Sequence, residues 1–340
     1  MIGHSVRVNR GAVLLVGGIL LIAIIYLFTN DNEAHQLYGN LRNGRQINLR
    51  KLLIGSIKAA KAGGIEVVTV SRNVEQLNQR SKGKTKEGVD DPLTDADSKS
   101  HCIMKSGLRR LFPKVEIISE EDKIHGGCQD TSAYFDLDPT VIHENAVIPD
   151  EMYNIEDITV WIDPLDATKE YTEKLYEYVT TMVCVAVNGV PVIGVIHSPF
   201  SGKTTWAWVN RAMSEDLLLV KKEENVTNNP TITVSRSHSG DVKEKASKAF
   251  GSDSNILIAA GSGYKVLQVV SKNATIYLHT TRIKKWDVCA GNAILSALGG
   301  RMSTLENDSI DYSSDLSPVN DKGILATLSH HDYYFNKYTA

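Results

Sequence analysis

The chain has 340 residues, 23% charged and 42% hydrophobic, with a formal charge of −3 and four cysteines. These proportions exclude a wholly disordered chain, a polytopic membrane protein and a disulfide-dense scaffold, and the lack of a basic excess argues against nucleic acid as a partner. The averages hide one local extreme, because no charged residue occurs from Gly11 to Asn30. Residues 11–28 are apolar apart from glycines and Tyr26. A helix of that length spans about 27 Å, close to the hydrocarbon core of a thin bilayer. No small-x-small cleavage site follows, so the segment reads as an uncleaved anchor rather than a signal peptide. Arg7 and Arg10 precede it and Asp31 and Glu33 follow. The positive-inside rule then predicts a short cytosolic tail at 1–10, a transmembrane anchor at 11–28 and a luminal remainder. Three sequons, at Asn225, Asn273 and Asn307, are compatible with glycosylation there.

Beyond a polar stalk at 29–48, a helical pattern starts near Leu49. Residues 81–91 read as a polar loop. A second helix is expected over 98–112 and a strand over 115–119. Residues 123–157 read as a long inserted surface loop. Strands follow at 159–162, 179–187, 190–197 and 204–209, with Asn188-Gly189 a strong hairpin signal. Further strands are expected at 231–234, 255–260 and 275–279, and helices at 239–250, 264–270 and 286–298, the last ended by Gly299-Gly300. Hairpins first and strand–helix alternation second predict two α/β subdomains, 49–220 and 221–335. Cys184, in an apolar strand, and Cys289, in a helix, read as buried free thiols. Whether Cys102 and Cys128 pair is left open by their spacing.

Four acidic clusters carry the chemistry: Asp91–Asp97 (DPLTDAD), Ser119–Asp122 (SEED), Trp161–Thr168 (WIDPLDAT) and Lys284–Gly291 (KKWDVCAG). Their acids sit beside strand ends or helix starts, where distant parts of a chain can converge. Carboxylates without cysteine or histidine partners suit a hard, oxygen-seeking cation such as Mg²⁺. In the third cluster a strand runs into Asp163, Pro164 forces a turn, and Asp166 and Thr168 can return to the same place. Singly, each cluster also fits a plain turn, a helix cap or a solvated edge.

Together and in this order, the clusters resemble the motifs of the inositol monophosphatase superfamily, over roughly residues 49–328. The resemblance implies an αβαβα layered sandwich and a phosphomonoesterase with two or three Mg²⁺ ions, inhibited by Li⁺. It implies Glu120, Asp163, the Leu165 carbonyl, Asp166 and Asp287 as metal ligands, and Asp97 with Thr168 as the groups that orient and deprotonate water. Strings such as SKGKTKEG, VSRSHSG and GYKVL are similar to the branch of that family that hydrolyses adenosine 3′,5′-bisphosphate in the Golgi lumen. That similarity implies Ser235, His238, Gly261 and Lys265 as nucleotide contacts, a type II Golgi membrane protein and a homodimer. A luminal inositol phosphatase, or a non-catalytic binding protein on the same fold, are the alternatives. Residues 123–157 match no motif of the family.

Overall fold

Apolar residues at alternate strand positions must be covered on both faces when both sets are apolar, and Ile158–Asp166 is such a strand. The computed structural model describes residues 45–340 except 73–76, 85–87, 123–127, 129–134, 143–146, 238–240 and 253. The expected tail, anchor and most of the stalk lie outside the described residues. Among the described residues, no helix is long and apolar enough to cross a membrane.

In chain order the elements that position the site are as follows. Helix α1 (Leu49–Ser71) is capped by Asn48, whose side chain accepts from the Lys51 N–H at 3.1 Å. A hairpin, β1 (Arg80–Lys84) and β2 (Asp90–Leu93), leads into α2 (Asp95–Leu111). Then come β3 (Glu116–Ser119), β4 (Ile158–Asp166), the short α3 (Thr168–Thr172), β5 (Thr180–Val187), β6 (Val190–Ser198), β7 (Lys203–Trp208) and β8 (Ala212–Met213). The second half holds β9 (Thr231–Ser235), α4 (Val242–Phe250), β10 (Asn255–Ala259), α5 (Ser262–Val270), β11 (Ile276–His279), α6 (Lys285–Ala297), β12 (Arg301–Ser303), β13 (Ile324–Thr327) and α7 (His331–Thr339).

The first sheet has six strands in the order β8-β7-β6-β5-β4-β3, antiparallel except for the parallel β3–β4 pair. The second has five, in the order β10-β9-β11-β13-β12, with β10, β9 and β11 parallel. One face of the first sheet, with Val160, Ile162, Val183 and Val195, packs on α1 and α2. Its other face, with Trp161, Met182 and Ile196, packs on α5 and α6. Those two helices also cover the inner face of the second sheet through Tyr277 and Ala326. The outer face of that sheet, with Ile232, Leu278 and Leu325, is covered by α4 and α7. The result is the expected αβαβα sandwich. The Asn188-Gly189 turn takes positive φ at both positions, +49° and +73°, as a tight hairpin of this kind requires.

Three sequence expectations change. Within the expected loop at 81–91, the described residues belong largely to two antiparallel strands, 80–84 and 90–93; every residue of β1 is exposed, so it carries no apolar alternation to read. The 123–157 stretch is more than a surface loop. Its described part includes a 3₁₀ turn (Pro139–Val141) and a short strand (Met152–Asn154), and Phe135, Ile142 and Ile148 are buried in the core under α1 and α2. Finally, Cys184 and Cys289 are not free thiols. They form a disulfide between β5 and α6, and Cys102 pairs with Cys128, leaving no free cysteine. The sheet-to-helix contact that joins residues 105 apart is tertiary, so neither segment announces it.

The contact between the first sheet and α6 is close enough to dictate one residue. A Cβ at Gly194 of β6 would lie 2.1 Å from the Ala290 carbonyl oxygen, which is backbone and cannot swing aside. Gly194→Ala is expected to cost about 2 kcal/mol through overpacking and to lower Tm by several degrees in thermal denaturation. Alkylation of the unreduced, unfolded chain should label no cysteine, and four should label after reduction.

Candidate active site

The site is built where β4 ends. Between Asp163 and Asp166 the β4–β5 register slips, so that Asp163 opposes Met182 and Asp166 opposes Thr180. Two residues of β4, Pro164 and Leu165, stand against one of β5, Thr181, and this bulge turns both carboxylates to the face covered by α5 and α6, where an unbroken strand would point them to opposite faces. Pro164 has no N–H to give to the ladder. Its carbonyl accepts from Ser100 Oγ of α2 at 2.6 Å. Leu165 buries its side chain with Val67, Val179 and Tyr171. Its carbonyl oxygen lies 3.1 Å from Thr168 Oγ. Ala167 then takes φ +69°, a strained conformation for a residue with a Cβ, and α3 begins at Thr168.

The other acids arrive from helix starts and a neighbouring strand end. Glu120 follows β3, and its N–H donates to Ile162 O at 3.1 Å, which sets it beside Asp163. Asp97 is the third residue of α2 and caps it, its Oδ2 accepting from Thr94 N (2.7 Å) and Thr94 Oγ (2.6 Å). Its Oδ1 is within 2.9 Å of Thr168 Oγ. Asp287 does the same for α6, accepting from Lys284 N at 2.9 Å. Each cap uses one carboxylate oxygen and leaves the other for the site.

Burial and mutual repulsion dominate the electrostatics. Burial, followed by the charges of Glu120, Asp166 and Asp287, pushes the Asp163 carboxyl well above its ordinary range. Burial, then Glu120 and Asp166, does the same to Asp287. Asp166 is raised by burial, against the pull of Lys265 and the N–H groups of Gly263 and Ser262. Asp97 is pushed up to about 6 by burial, although Lys82 opposes this. No three of these carboxylate oxygens close to within 4.8 Å of one another; among the described residues that spacing is met by His101, Cys102 and Cys128, whose sulfurs are already bonded together. Buried or half-buried, oxygen-only and like-charged, the donor set fits a hard cation.

Two lysines flank the cluster. Lys82 of β1 donates to Glu120 at 2.8 Å and pairs with Glu121. Burial works against its charge, but Glu120, Asp97 and Glu121 outweigh it and raise its pKa. Sequence reasoning missed Lys82, because an exposed-looking SKGK run carries no sign of where its lysine points. Lys265 of α5 is buried, lies 5.2 Å from the centre of the Tyr277 ring, and is lowered to about 8 by burial against the pull of Asp166, Glu170 and Asp287. Gly261 begins the same helix at φ +67°. A Cβ there would lie 2.6 Å from Tyr178 O and 3.1 Å from Asp166 Oδ2, so only glycine lets the second sheet approach this closely. Gly263 N donates to Asp166 Oδ2 at 2.8 Å, a link with no sequence signal. Ser235 is buried at the end of β9, beside Ala259 of β10. His238 lies outside the described residues. Lys284 and Lys285 differ in setting: Lys284 is exposed over the Trp286 ring, whereas Lys285 is buried, over Trp161 and donating to Ser313 O at 3.3 Å.

A layered sandwich with carboxylates gathered at the end of β4, and a lysine and glycine brought to them by α5, is the arrangement that the phosphomonoesterase expectation requires. The comparisons agree. The profile of the inositol monophosphatase family matches residues 48–336. A Drosophila melanogaster protein named provisionally as inositol monophosphatase 3 is 56% identical, covering 99% of this chain and 95% of its own. The Homo sapiens Golgi-resident adenosine 3′,5′-bisphosphate 3′-phosphatase is 45% identical, over 84% of this chain and 79% of its own. The solved inositol monophosphatase of Anabaena superposes with a TM-score of 0.61 at 19% identity, over 86% of this chain and 96% of that one, and shows the shared fold. This chain belongs to the inositol monophosphatase family. It is a phosphoric monoester hydrolase.

With Asp97 as the group that must be ionised, phosphatase activity should fall as pH drops through about 6, where a raised carboxyl takes up its proton. Lys82→Met removes a cation that lowers this pKa, so the acid limb of a kcat–pH profile should move to higher pH.

Proposed function

We propose that the chain hydrolyses the 3′-phosphate of adenosine 3′,5′-bisphosphate, giving AMP and inorganic phosphate. The observation that carries this reading is the buried Lys265, in the first turn of α5 after Gly261 and acting on Asp166 of the carboxylate turn. A bisphosphate brings a second anion to that cationic position, which a substrate with one phosphate does not. Relatives named as Golgi-resident phosphatases of this nucleotide support the same choice.

Glu120, Asp163, Asp166, Asp287 and the Leu165 carbonyl would hold Mg²⁺. When bound, Mg²⁺ neutralises the transferring phosphoryl group and its leaving oxygen. The chain's own residues supply the rest. Thr168 Oγ gives its hydrogen to Asp97 Oδ1 and accepts one from the attacking water. The proton therefore passes from water to threonine to a carboxylate whose pKa, about 6, suits a base near neutrality. Thr94 fixes the other Asp97 oxygen so that the acceptor faces Thr168. The new P–O bond forms as the bond to the 3′ oxygen breaks, and that oxygen takes its proton from solvent. Ser235 and Lys265 bind the 5′-phosphate, and the family resemblance adds His238 as a further nucleotide contact.

The reading extends to location. The apolar 11–28 segment would anchor the chain in the Golgi membrane with its catalytic part luminal. Asn225, Asn273 and Asn307 are all exposed, as acceptors of glycans must be. A homodimer belongs to the same proposal.

The second reading, an inositol monophosphatase, is favoured by the name of the 56% identical relative. Phosphate release by the full chain in detergent separates the two. Adenosine 3′,5′-bisphosphate is expected to exceed inositol 1-phosphate by at least about tenfold in kcat/KM, with loss on chelation and inhibition by Li⁺. Asp163→Asn should lower kcat by about three orders of magnitude. Preference for inositol 1-phosphate would overturn the nucleotide reading, and full activity of both chelated enzyme and variant would overturn the metal chemistry.

A further inference from the structure

Glu170 is a buried carboxylate with no part in the proton transfer proposed above, although its charge also acts on Lys265. It lies two residues beyond Thr168 in α3 and is 3% exposed. A charge so placed needs partners, and its hydrogen-bond donors come from the other sheet. Arg236 Nη1 donates to Glu170 Oε1 at 3.2 Å, and Ser237 Oγ donates to the same oxygen. The Arg236 guanidinium also pairs with Glu173, and the Arg236 backbone N–H donates to Ala259 O at 2.9 Å. One residue thus ties α3 to the ends of both β9 and β10. Those are the carboxyl ends of parallel strands, where α/β sheets bind ligands. They carry Ser235 and lead into Gly261.

We infer that Glu170 is a positioning residue for substrate selection. Through Arg236 and Ser237 it fixes the 235–237 backbone against the turn that carries Asp163, Asp166 and Thr168. It thereby sets the span between the place where phosphate is cleaved and the place where the nucleoside 5′-phosphate is held. A substrate reaching both places, a nucleoside 3′,5′-bisphosphate, depends on that span. A lone phosphate at the carboxylates does not. This inference rests on the nucleotide reading proposed above. A carboxylate that only stapled the fold would alter stability and leave the balance between KM and kcat untouched.

The test uses the full chain with Mg²⁺, comparing wild type, Glu170→Ala and Glu170→Gln. Glu170→Ala is expected to raise KM for adenosine 3′,5′-bisphosphate and the calorimetric Kd for AMP by about tenfold, with kcat and the affinity for inorganic phosphate within about twofold. Glu170→Gln keeps an acceptor for Arg236 and Ser237 and should recover most of the loss. Unchanged KM and AMP affinity in Glu170→Ala, or an equal fall in phosphate affinity and kcat, overturns the inference. Should Glu170→Ala fail to fold, Ser237→Ala and Arg236→Met carry the same expected split, and its absence in both overturns the inference equally. A wild-type chain that neither hydrolyses the bisphosphate nor binds AMP overturns the underlying nucleotide reading. A wild type that does both, with variants that behave as it does, overturns the positioning role alone.

Discussion

Like charges held close together out of water are the constraint around which this molecule is organised. Asp163 is buried, with Asp166, Asp287 and Glu120 half-buried around it; all three raise the Asp163 pKa, and Glu120 and Asp166 raise that of Asp287. Left to themselves such groups spread apart or take up protons. The fold resists both outcomes with fixed dipoles and cations. Asp97 and Asp287 sit in the first turns of α2 and α6, where helix N–H groups favour negative charge. Asp166 accepts from the start of α5. Lys82 approaches Glu120 from the β1–β2 hairpin, and Lys265 approaches Asp166 from the second sheet.

The layers explain how such precision is held. The β4–β5 bulge decides which way Asp163 and Asp166 face, and the interface between β6 and α6 decides how far Asp287 stands from them. That interface has no slack, since Gly194 meets the Ala290 carbonyl directly. The separation of the acids is thus a property of backbone against backbone, and side-chain rotamers only refine it. On the opposite flank Gly261 plays the same part, letting α5 reach Asp166 where any side chain would hold it away.

How much of this was legible in the sequence depended on whether the interaction was local. The WIDPLDAT turn could be read because strand, proline and both acids lie within eight residues. Its bulge is a local event as well. The Asp287 cap and the α6 C-terminus were legible for the same reason. Lys82 was not, because β1 is exposed throughout and only the fold aims its ammonium at Glu120 and Glu121. The Glu170–Arg236 contact, 66 residues apart, gave no local signal on either side. Phe135, Ile142 and Ile148 were hidden by their surroundings, since scattered apolar residues in a polar stretch look like loop until a core receives them.

The pairing of Cys184 with Cys289 also constrains the order in which the protein can be made. β5 is complete long before α6 leaves the ribosome, and everything from β6 to β11 is synthesised between the two cysteines. The bond therefore cannot close until the central helix of the second half has been delivered back onto the first sheet. In the chain-entropy account, closing a loop of about 100 residues restricts the unfolded chain by nearly 5 kcal/mol. A chain cut short before residue 289 leaves Cys184 without its partner. Completion of the Asp287-bearing helix is thus recorded covalently.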